Sequence, residues 1–199
     1  MKKLSLSILE KRIGKKLSCN TTAIGFDTAS KFTGIGVIIT LKKTAYVSTY
    51  LIKNKKIIEG KGKNRELKEE KFREALDYFI GELNNLISNK IKTKGYKKFI
   101  IEQPFFSKNV QTLIILQAYA TLVWRETKHI PDEIRFVRPV TCRSIINFFK
   151  NRNKKDKRKQ KEQVKDYINY IFGLNLKDDN LTDGLALSLS ALIKPTTTH

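Results

Sequence analysis

Cysteine and histidine are scarce in this sequence, and their scarcity excludes several kinds of active site. The 199 residues include two cysteines, Cys19 and Cys142, and two histidines, His129 and His199. Cysteines so far apart match neither a disulfide framework nor the ligand spacing of a zinc site. Two histidines provide neither a zinc cluster nor the parts of a Ser-His-Asp arrangement. The cysteine content suits a reducing compartment, so we expect a cytoplasmic location and leave open a nucleoid, the host cytoplasm of a viral protein, or an organelle.

Long apolar segments and phosphate-binding glycine loops are also missing. No apolar run reaches the roughly 18 residues that span a membrane, so we expect a soluble protein with no membrane partner. The stretch Leu4–Leu9 is interrupted by serines and is too short for a secretory signal, so residues 1–20 are predicted to be a basic N-terminal extension. The lack of a P-loop argues against a nucleotide-binding ATPase, and no small-molecule cofactor is expected.

Acidic residues are few compared with basic ones. Forty Lys and Arg stand against nineteen Asp and Glu, which gives a formal net charge of +21. Such a charge attracts polyanions, so nucleic acid is the first partner to consider. A chain rich in Lys, Ile and Asn can also reflect a coding bias, so the charge alone does not establish nucleic-acid binding.

The spacing of apolar residues predicts an α/β fold with a mixed sheet of about five strands, flanked by helices. Thr22–Asp27, Gly34–Leu41 and Ala45–Ile52 are apolar, β-branched runs that predict three antiparallel strands. The length of the chain suits one domain. The later predicted elements are an amphipathic helix Asn64–Ser88, a strand Lys98–Glu102, a buried helix Val110–Thr127, a strand Ile134–Val137, a short helix Thr141–Phe149, a helix through Val164, Ile168 and Ile171 that ends near Gly173, and a last helix Asn180–Leu192.

Three carboxylates interrupt these apolar elements. Asp27 and Glu102 each end an apolar strand, and Asp183 lies in an apolar helix. A carboxylate in such a place is costly unless it is paired or bound to a metal ion. Asn180 and Asp179 precede Asp183 by three and four residues, so their oxygens can share its helix face. Together these residues supply the oxygen ligands that Mg²⁺ prefers.

A carboxylate cluster of this kind suits phosphodiester hydrolysis, in which two metal ions about 3.5–4 Å apart activate water and stabilise the departing oxygen. Taken singly, each residue has a simpler explanation. Asp27 can cap a turn, Glu102 can face an arginine, and Asn180 or Asp179 can cap the last helix. Only the joint pattern favours a metal site.

Three segments resemble the motifs of the RuvC family of nucleases. Ile24–Ile38 is similar to the first motif, a strand, a catalytic Asp, a turn and a returning strand. Ile101–Asn109 resembles the second, with its Glu-Gln pair, an aromatic residue and a Lys-Asn end. Asp183–Ala186 resembles the third, although the family often has Ala where this chain has Gly184. The resemblance implies an RNase H-like nuclease domain over residues 21–194 and a tail over residues 195–199, and it leaves a phage or organellar origin open.

The family resemblance also implies an activity. We expect an endodeoxyribonuclease that resolves Holliday junctions by paired nicks, acting as a homodimer on four-way DNA. Asp27, Glu102 and Asp183 are its expected catalytic and metal-binding residues, with two Mg²⁺ ions per site that Mn²⁺ can replace. Many members carry a second Asp where this chain has Asn180. Either the Asn180 oxygen takes its catalytic and metal-binding place, or Asp179 does.

DNA contacts are expected from two regions. Phe105, with Phe106 beside it, matches the aromatic residue that the family wedges into base stacking at the branch, although both rings can instead be core residues. The segment from Lys150 to Glu162 has eight basic and two acidic residues and no aliphatic or aromatic side chain, so it can bind phosphates or be a solvated loop without function. The candidate DNA contacts are Phe105, Phe106, Lys108, Arg143, Lys154, Lys155, Lys157, Arg158, Lys159 and Lys161, of which Lys161 is also a catalytic candidate.

Two other functions are compatible with the same residues. A nuclease for flaps or replication forks can use the same carboxylates, since related proteins share the arrangement. A non-catalytic DNA or RNA binder can use the same positive charge, with the acidic residues serving only the fold. The sequence does not separate these functions from junction resolution.

Overall fold

The apolar runs build a six-stranded mixed sheet. The structure, a computed structural model, describes residues 1–55, 58–59, 66–105, 110–151 and 158–194. The strands are β1 (Lys2–Ser5), β2 (Thr21–Thr28), β3 (Phe32–Leu41), β4 (Thr44–Lys53), β7 (Tyr96–Glu102) and β8 (Glu133–Val137), with β5 (Ile58–Glu59) and β6 (Glu66–Leu67) as a separate antiparallel pair. Strands in the sheet are ordered β1-β4-β3-β2-β7-β8, antiparallel from β1 to β2 and parallel from β2 to β8. The prediction of a mixed sheet with antiparallel first strands is confirmed.

The helices lie on the two faces of this sheet. One layer contains the helices Leu6–Ile13, Pro139–Ile145, Phe148–Asn151, Gln160–Phe172 and Asp179–Leu192, and the other contains Glu69–Asn85 and Val110–Thr127. Alternation along β2 sends Ala23 into the first core and Ile24 into the second. None of the helices in the described ranges is both long enough and apolar enough to cross a membrane. The helices are α1 (Leu6–Ile13), α2 (Glu69–Asn85, continued by a π-helical turn over Leu86–Lys90), α3 (Val110–Thr127), α4 (Pro139–Ile145), α5 (Phe148–Asn151), α6 (Gln160–Phe172) and α7 (Asp179–Leu192).

The first residues of the chain, expected to be an extension, instead complete the fold. β1 pairs antiparallel with β4, and Leu9 and Ile13 of α1 are fully buried in the core. The Arg12 guanidinium donates hydrogen bonds to the Tyr170 and Ile171 carbonyl oxygens at 2.9 and 2.8 Å, and Lys2 donates to the Gly173 carbonyl oxygen. These cations bind carbonyl oxygens at the C-terminal end of α6, where the helix dipole favours positive charge.

Three helices differ from their predicted forms. α2 begins at Glu69, since residues 66 and 67 form a strand and residues 64 and 65 lie outside the described ranges. The single helix predicted over Thr141–Phe149 is divided into α4 and α5 at Asn147, whose φ of 60° ends the helical path. The prediction that α3 is buried is wrong, because one side of this helix remains exposed through Val110, Ile114 and Trp124.

Helix α7 lies unusually close to β2 and β3 because glycines face one another across the contact. A Cβ at Gly36 of β3 would lie 2.5 Å from the Gly184 carbonyl oxygen, and a Cβ at Gly184 would lie 2.8 Å from the Gly36 nitrogen. Real Cβ atoms essentially never come within 3.0 Å of such atoms. The Ser188 hydroxyl donates to the Gly36 carbonyl oxygen at 2.7 Å. This close packing places Asp183, one residue before Gly184, directly over the sheet.

Candidate active site

Two of the predicted carboxylates stand side by side at the ends of the central parallel strands. The last registered pair between β2 and β7 is Phe26 with Ile101, and Asp27 and Glu102 are the next residues on each strand. Adjacent residues in a parallel register point to the same face of the sheet. Asp27 is only 5% exposed, and its side chain shares a hydrogen bond with that of Glu102. The sheet therefore brings together two acids that are 75 residues apart in the sequence.

Asp183 approaches this pair from α7. The helix is capped by Asp178, whose carboxylate accepts a hydrogen bond from the Asn180 backbone at 2.8 Å. Asp183 follows in the second turn, where its charge acts on both Asp27 and Glu102. The three predicted acids therefore form one electrostatic cluster.

The cluster is strongly unfavourable for negative charge. Burial, followed by repulsion from Glu102 and Asp183, raises the pKa of Asp27 well above its ordinary value. Burial is also the largest cause that raises the pKa of Glu102 and of Asp183, with the Asp183 charge adding to the effect on Glu102. Lys161 and Arg143 oppose the rise of the pKa at Asp183. The nearby cations therefore compensate only part of the cost of holding these carboxylates ionised.

Two lysines in the first two turns of α6 form ion pairs with acidic residues at the start of α7. The Lys161 Nζ lies 3.8 Å from an Asp183 carboxylate oxygen and 3.9 Å from one of Asp179. The Lys165 Nζ lies 3.0 Å from the other Asp179 oxygen. Arg143 lines a small cleft together with Glu102 and Asp183. Side chains of both signs therefore meet at this edge of the sheet.

The oxygen donors of the cluster suit a divalent cation, although the three carboxylates do not yet surround a single ion position. Buried carboxylates with raised pKa values gain from a positive ion, and their oxygens are the ligands that Mg²⁺ prefers. Within the described ranges, no three Asp, Glu, His or Cys side chains are already placed to hold a metal ion as they stand. Ion binding at Asp27, Glu102 and Asp183 therefore requires their side chains to draw together.

The two candidates for the fourth ligand have other contacts. The Asn180 side-chain amide donates to the Asp178 carboxylate at 3.0 Å, which leaves the Asn180 oxygen as an acceptor. Asp179 is paired with Lys165 and Lys161. Capping of the last helix falls to Asp178, and not to Asn180 or Asp179 as the simpler explanation proposed.

The candidate DNA contacts are spread around the same edge. Phe105 follows β7 and is 59% exposed, so it is not a core residue. Lys159 and Lys161 are exposed at the start of α6, and Arg158 forms a 2.7 Å ion pair with Asp166. Arg143 contacts Gln160 at 3.5 Å. The other candidates lie outside the described residues, and these are Phe106, Lys108, Lys154, Lys155 and Lys157.

Two residues of the site were absent from the sequence prediction. Lys165 could have been predicted from the sequence, because it lies four residues after Lys161 and shares its helix face. Asp178 could also have been predicted, since an Asp directly before a helix is a favoured cap. Neither residue has a place in the RuvC-like motifs, so the motif resemblance does not indicate them.

Comparisons with known proteins establish the fold. No family model matches the chain, and no curated protein sequence does. RuvC of T. thermophilus in complex with a Holliday junction substrate is 16% identical, with a TM-score of 0.58 over 85% of this chain and 91% of that chain. A second T. thermophilus RuvC structure is 15% identical, with a TM-score of 0.53 over 85% and 92%. The yeast mitochondrial Holliday junction resolvase is 10% identical, with a TM-score of 0.52 over 92% and 82%. The chain has the RuvC-type RNase H-like fold, as the motif resemblance implied.

Proposed function

We propose that the protein is a metal-dependent endodeoxyribonuclease that resolves Holliday junctions. The observation that carries the proposal is the convergence of Asp27, Glu102 and Asp183 at one edge of the sheet. This cluster stands in a fold shared with RuvC, one of whose structures holds a Holliday junction substrate. A net charge of +21 supports a DNA substrate.

In this proposal Asp27, Glu102 and Asp183 hold Mg²⁺ or Mn²⁺, two ions per site, with the Asn180 oxygen as a fourth donor. Bound there, the metal supplies activation of the attacking water and stabilisation of the departing 3′ oxygen. Asp179 is proposed to pair with the lysines of α6 and not to bind the metal, because one of its oxygens already lies 3.0 Å from the Lys165 Nζ. The raised pKa of Asp27 supports metal binding, since a divalent ion relieves the repulsion that causes part of the rise.

The chain's own cations position the DNA strand. Lys161 is half exposed and lies 3.8–3.9 Å from Asp183 and Asp179, a loose pairing that leaves its ammonium group able to reach a phosphate oxygen. Arg143 lies in the cleft that Glu102 and Asp183 also line. These two cations would hold the scissile phosphate over the carboxylates, while Lys159 contacts the backbone beyond it.

Phe105 provides a base-stacking surface. Its ring follows Glu102 by three residues and is exposed, so it is available to bases near the cut. Stacking of an unpaired base on an aromatic side chain contributes about 1–3 kcal/mol. A branch point offers such bases more readily than a linear duplex does, and this favours branched DNA as the substrate.

A homodimer fits the exposed side of α3. Val110, Ile114, Gln117, Thr121 and Trp124 follow one another at intervals of four, three, four and three residues, which places them on one helix face. The three large apolar residues among them are exposed in the single chain. An exposed, partly apolar stripe of this kind is suited to pairing with the same stripe of a second copy about a two-fold axis, and two copies would provide the two active sites that paired nicks require.

The test uses labelled four-way, flap and linear DNA with Mg²⁺ or EDTA, followed by mapping of the nicks. The proposal expects Mg²⁺-dependent, symmetric nicks in the four-way junction, which Asp27→Asn abolishes while DNA binding persists. The exposed substitution Asp77→Asn on α2 is the matched control and should cut normally. Preferred cutting of the flap would assign the protein to flap or fork DNA, and binding without any cutting would make it a non-catalytic binder.

A further inference from the structure

The outer edge of β4 is covered along only half of its length. β4 pairs with β3 from Thr44 to Lys53, whereas β1 covers only Thr44–Val47 on the other side. Among the strands of the described ranges, none pairs with Ser48–Lys53 on that side. Within the described ranges, the outward backbone N–H and C=O groups of Ser48–Lys53 are paired with no other strand, and a further strand can hydrogen-bond to such groups.

The open half also lacks the features that usually protect a sheet edge. Its sequence is Ser48-Thr49-Tyr50-Leu51-Ile52-Lys53, with no proline and no charge before the last residue. Residues of this kind favour extended structure. Edge strands are normally blunted by charges, prolines or bulges, because an unprotected edge pairs with other chains. This edge is therefore suited to strand addition.

A cleft lies on each face of the sheet beside this edge. On the α6 and α7 face, a cleft of about 480 Å³ is lined by Val47, Thr49, Leu174 and Leu176. On the α2 face, a cleft of about 460 Å³ has a largely apolar floor, whose residues are Val37, Ile39, Leu41, Tyr46, Tyr50 and Ile91. Successive side chains of an added strand point to opposite faces, so they would enter the two clefts in turn.

The charge around the clefts indicates the chemistry of the occupant. Lys90, Lys92 and Lys94 line the α2-face cleft, whereas Lys2, which lines the other cleft, has its ammonium group bound to the Gly173 carbonyl oxygen. No acidic side chain lines either cleft among the residues described there. The α2-face cleft combines an apolar floor with three lysines, which favours a segment that combines apolar and acidic residues.

We propose that the open half of β4 binds an extended acidic and apolar peptide of a partner protein by strand addition. Main-chain hydrogen bonds to Ser48–Lys53 provide affinity, and the two clefts provide specificity for alternate side chains. The site lies across β3 from Asp27, so it recruits the protein to a partner and leaves the carboxylate cluster free. The inference goes beyond the nuclease proposal and holds whether or not the protein cuts DNA.

The experiment measures fluorescence anisotropy with the full chain and three labelled peptides. The protein carries no N-terminal tag, since a tag would extend β1 along the same edge. The first peptide is Asp-Asp-Val-Phe-Ile-Leu-Asp-Asp, the second has Lys in place of Asp, and the third keeps the first sequence with alternate backbone amides methylated. We expect the first to bind at least tenfold more tightly than the other two, because only it offers both acidic ends and free amides.

Protein variants and hydrogen exchange locate the binding. The triple variant Lys90→Glu, Lys92→Glu, Lys94→Glu should weaken the acidic peptide at least tenfold and strengthen the lysine peptide. Lys11→Glu on α1, on the opposite face of the sheet, is the control for reversal of a single lysine charge away from the α2-face cleft and should bind like the wild type. In the unmodified protein, the acidic peptide should slow amide exchange at residues 48–53, a result that does not depend on any variant folding.

Several outcomes would overturn the inference. These are no binding of the acidic peptide, binding that tolerates amide methylation, or binding without protection of residues 48–53. Displacement of the peptide by an eight-nucleotide oligo(dT) that protects the same residues would assign the edge to single-stranded nucleic acid. Protection of residues 48–53 that rises with protein concentration in the absence of peptide would assign it to a second copy of the chain.

Discussion

Gly184 of α7 and Gly36 of β3 lie so close together that neither position has room for a Cβ atom. A Cβ at either glycine would lie 2.8 or 2.5 Å from backbone atoms of the other, which cannot move aside as a flexible side chain can. A methyl group at position 184 must therefore lift α7, and with it Asp183, away from the sheet.

Gly184→Ala should destabilise the fold and impair the site together. Overpacking of a tight contact costs about 1–3 kcal/mol, so we expect a lower midpoint of urea unfolding and reduced cleavage. Gly81→Ala is the matched control, since a Cβ at Gly81 meets nothing within 4 Å and helix interiors favour Ala. A Gly184→Ala variant at least as stable as the wild type would show that α7 can lie over β3 without the glycine contact.

Removal of the Asp27 charge should stabilise the metal-free protein at neutral pH. The folded-state pKa of Asp27 is raised above its unfolded value. The stability tied to the protonated carboxyl is therefore fully present below about pH 4 and is lost as the pH rises towards the folded-state pKa. The side chain at position 27 of Asp27→Asn is neutral at every pH, so the variant should become more stable than the wild type as the pH rises above about 4.

The measurement is thermal unfolding in EDTA at pH 4 and pH 7. We expect Asn to raise the midpoint at pH 7 by about 2–4 °C or more, the shift that roughly 1 kcal/mol gives a chain of this size. Mg²⁺ should then stabilise the wild type and leave the variant unchanged. An equal midpoint of unfolding for both proteins at pH 7 would show that burial and repulsion do not destabilise the ionised Asp27 carboxylate.

Lys161→Ala should slow cleavage more than it weakens binding. The Lys161 ammonium group lies beside Asp183 and Asp179, where it can contact the scissile phosphate, whereas overall affinity is spread over many basic residues. We expect single-turnover cleavage of the four-way junction to fall by one to two orders of magnitude. Lys43→Ala, on the exposed turn between β3 and β4, is the control for loss of one positive charge. Equal effects of the two substitutions would remove Lys161 from the site.

Ile114→Glu should convert the protein to a monomer. Ile114 is 43% exposed near the start of the α3 stripe, and a carboxylate there would have to be buried in the interface. Light scattering after gel filtration measures the mass. Ile8→Glu, an exposed apolar residue on α1, should leave the dimer intact. A wild-type protein that is monomeric at high concentration would contradict the dimer directly.

The sequence was most informative where single elements carry strong patterns. β2 and β7 are apolar runs that each carry an acidic residue at or next to their last position. The predicted bounds of α3, Val110–Thr127, are those observed. The proximity of Asp27 and Glu102 follows from the ends of two neighbouring parallel strands meeting at one edge of the sheet. The approach of Asp183 from helix α7 was expected from the motif resemblance. The resemblance to RuvC implied an RNase H-like fold, and the chain shares its fold with RuvC.

Other features depend on partners that a local pattern does not contain. β1 has four residues, and it becomes a strand only because β4 offers an edge. The sequence did not indicate which face of α3 is buried and which is exposed, because apolar residues occur all round the helix. The close contact between Gly184 and Gly36 needs the tertiary arrangement of α7 over β3, which neither glycine signals by itself.

The most direct test of the account is whether three acids from separate elements bind one set of divalent ions. Electron paramagnetic resonance of free Mn²⁺ measures binding by the wild type, by Asp27→Asn, Glu102→Gln and Asp183→Asn singly, and by the control Asp77→Asn. We predict that each of the three substitutions weakens Mn²⁺ binding at least tenfold, while the control binds like the wild type. Unchanged Mn²⁺ binding in any one of the three variants would show that the carboxylates do not act as a single metal site.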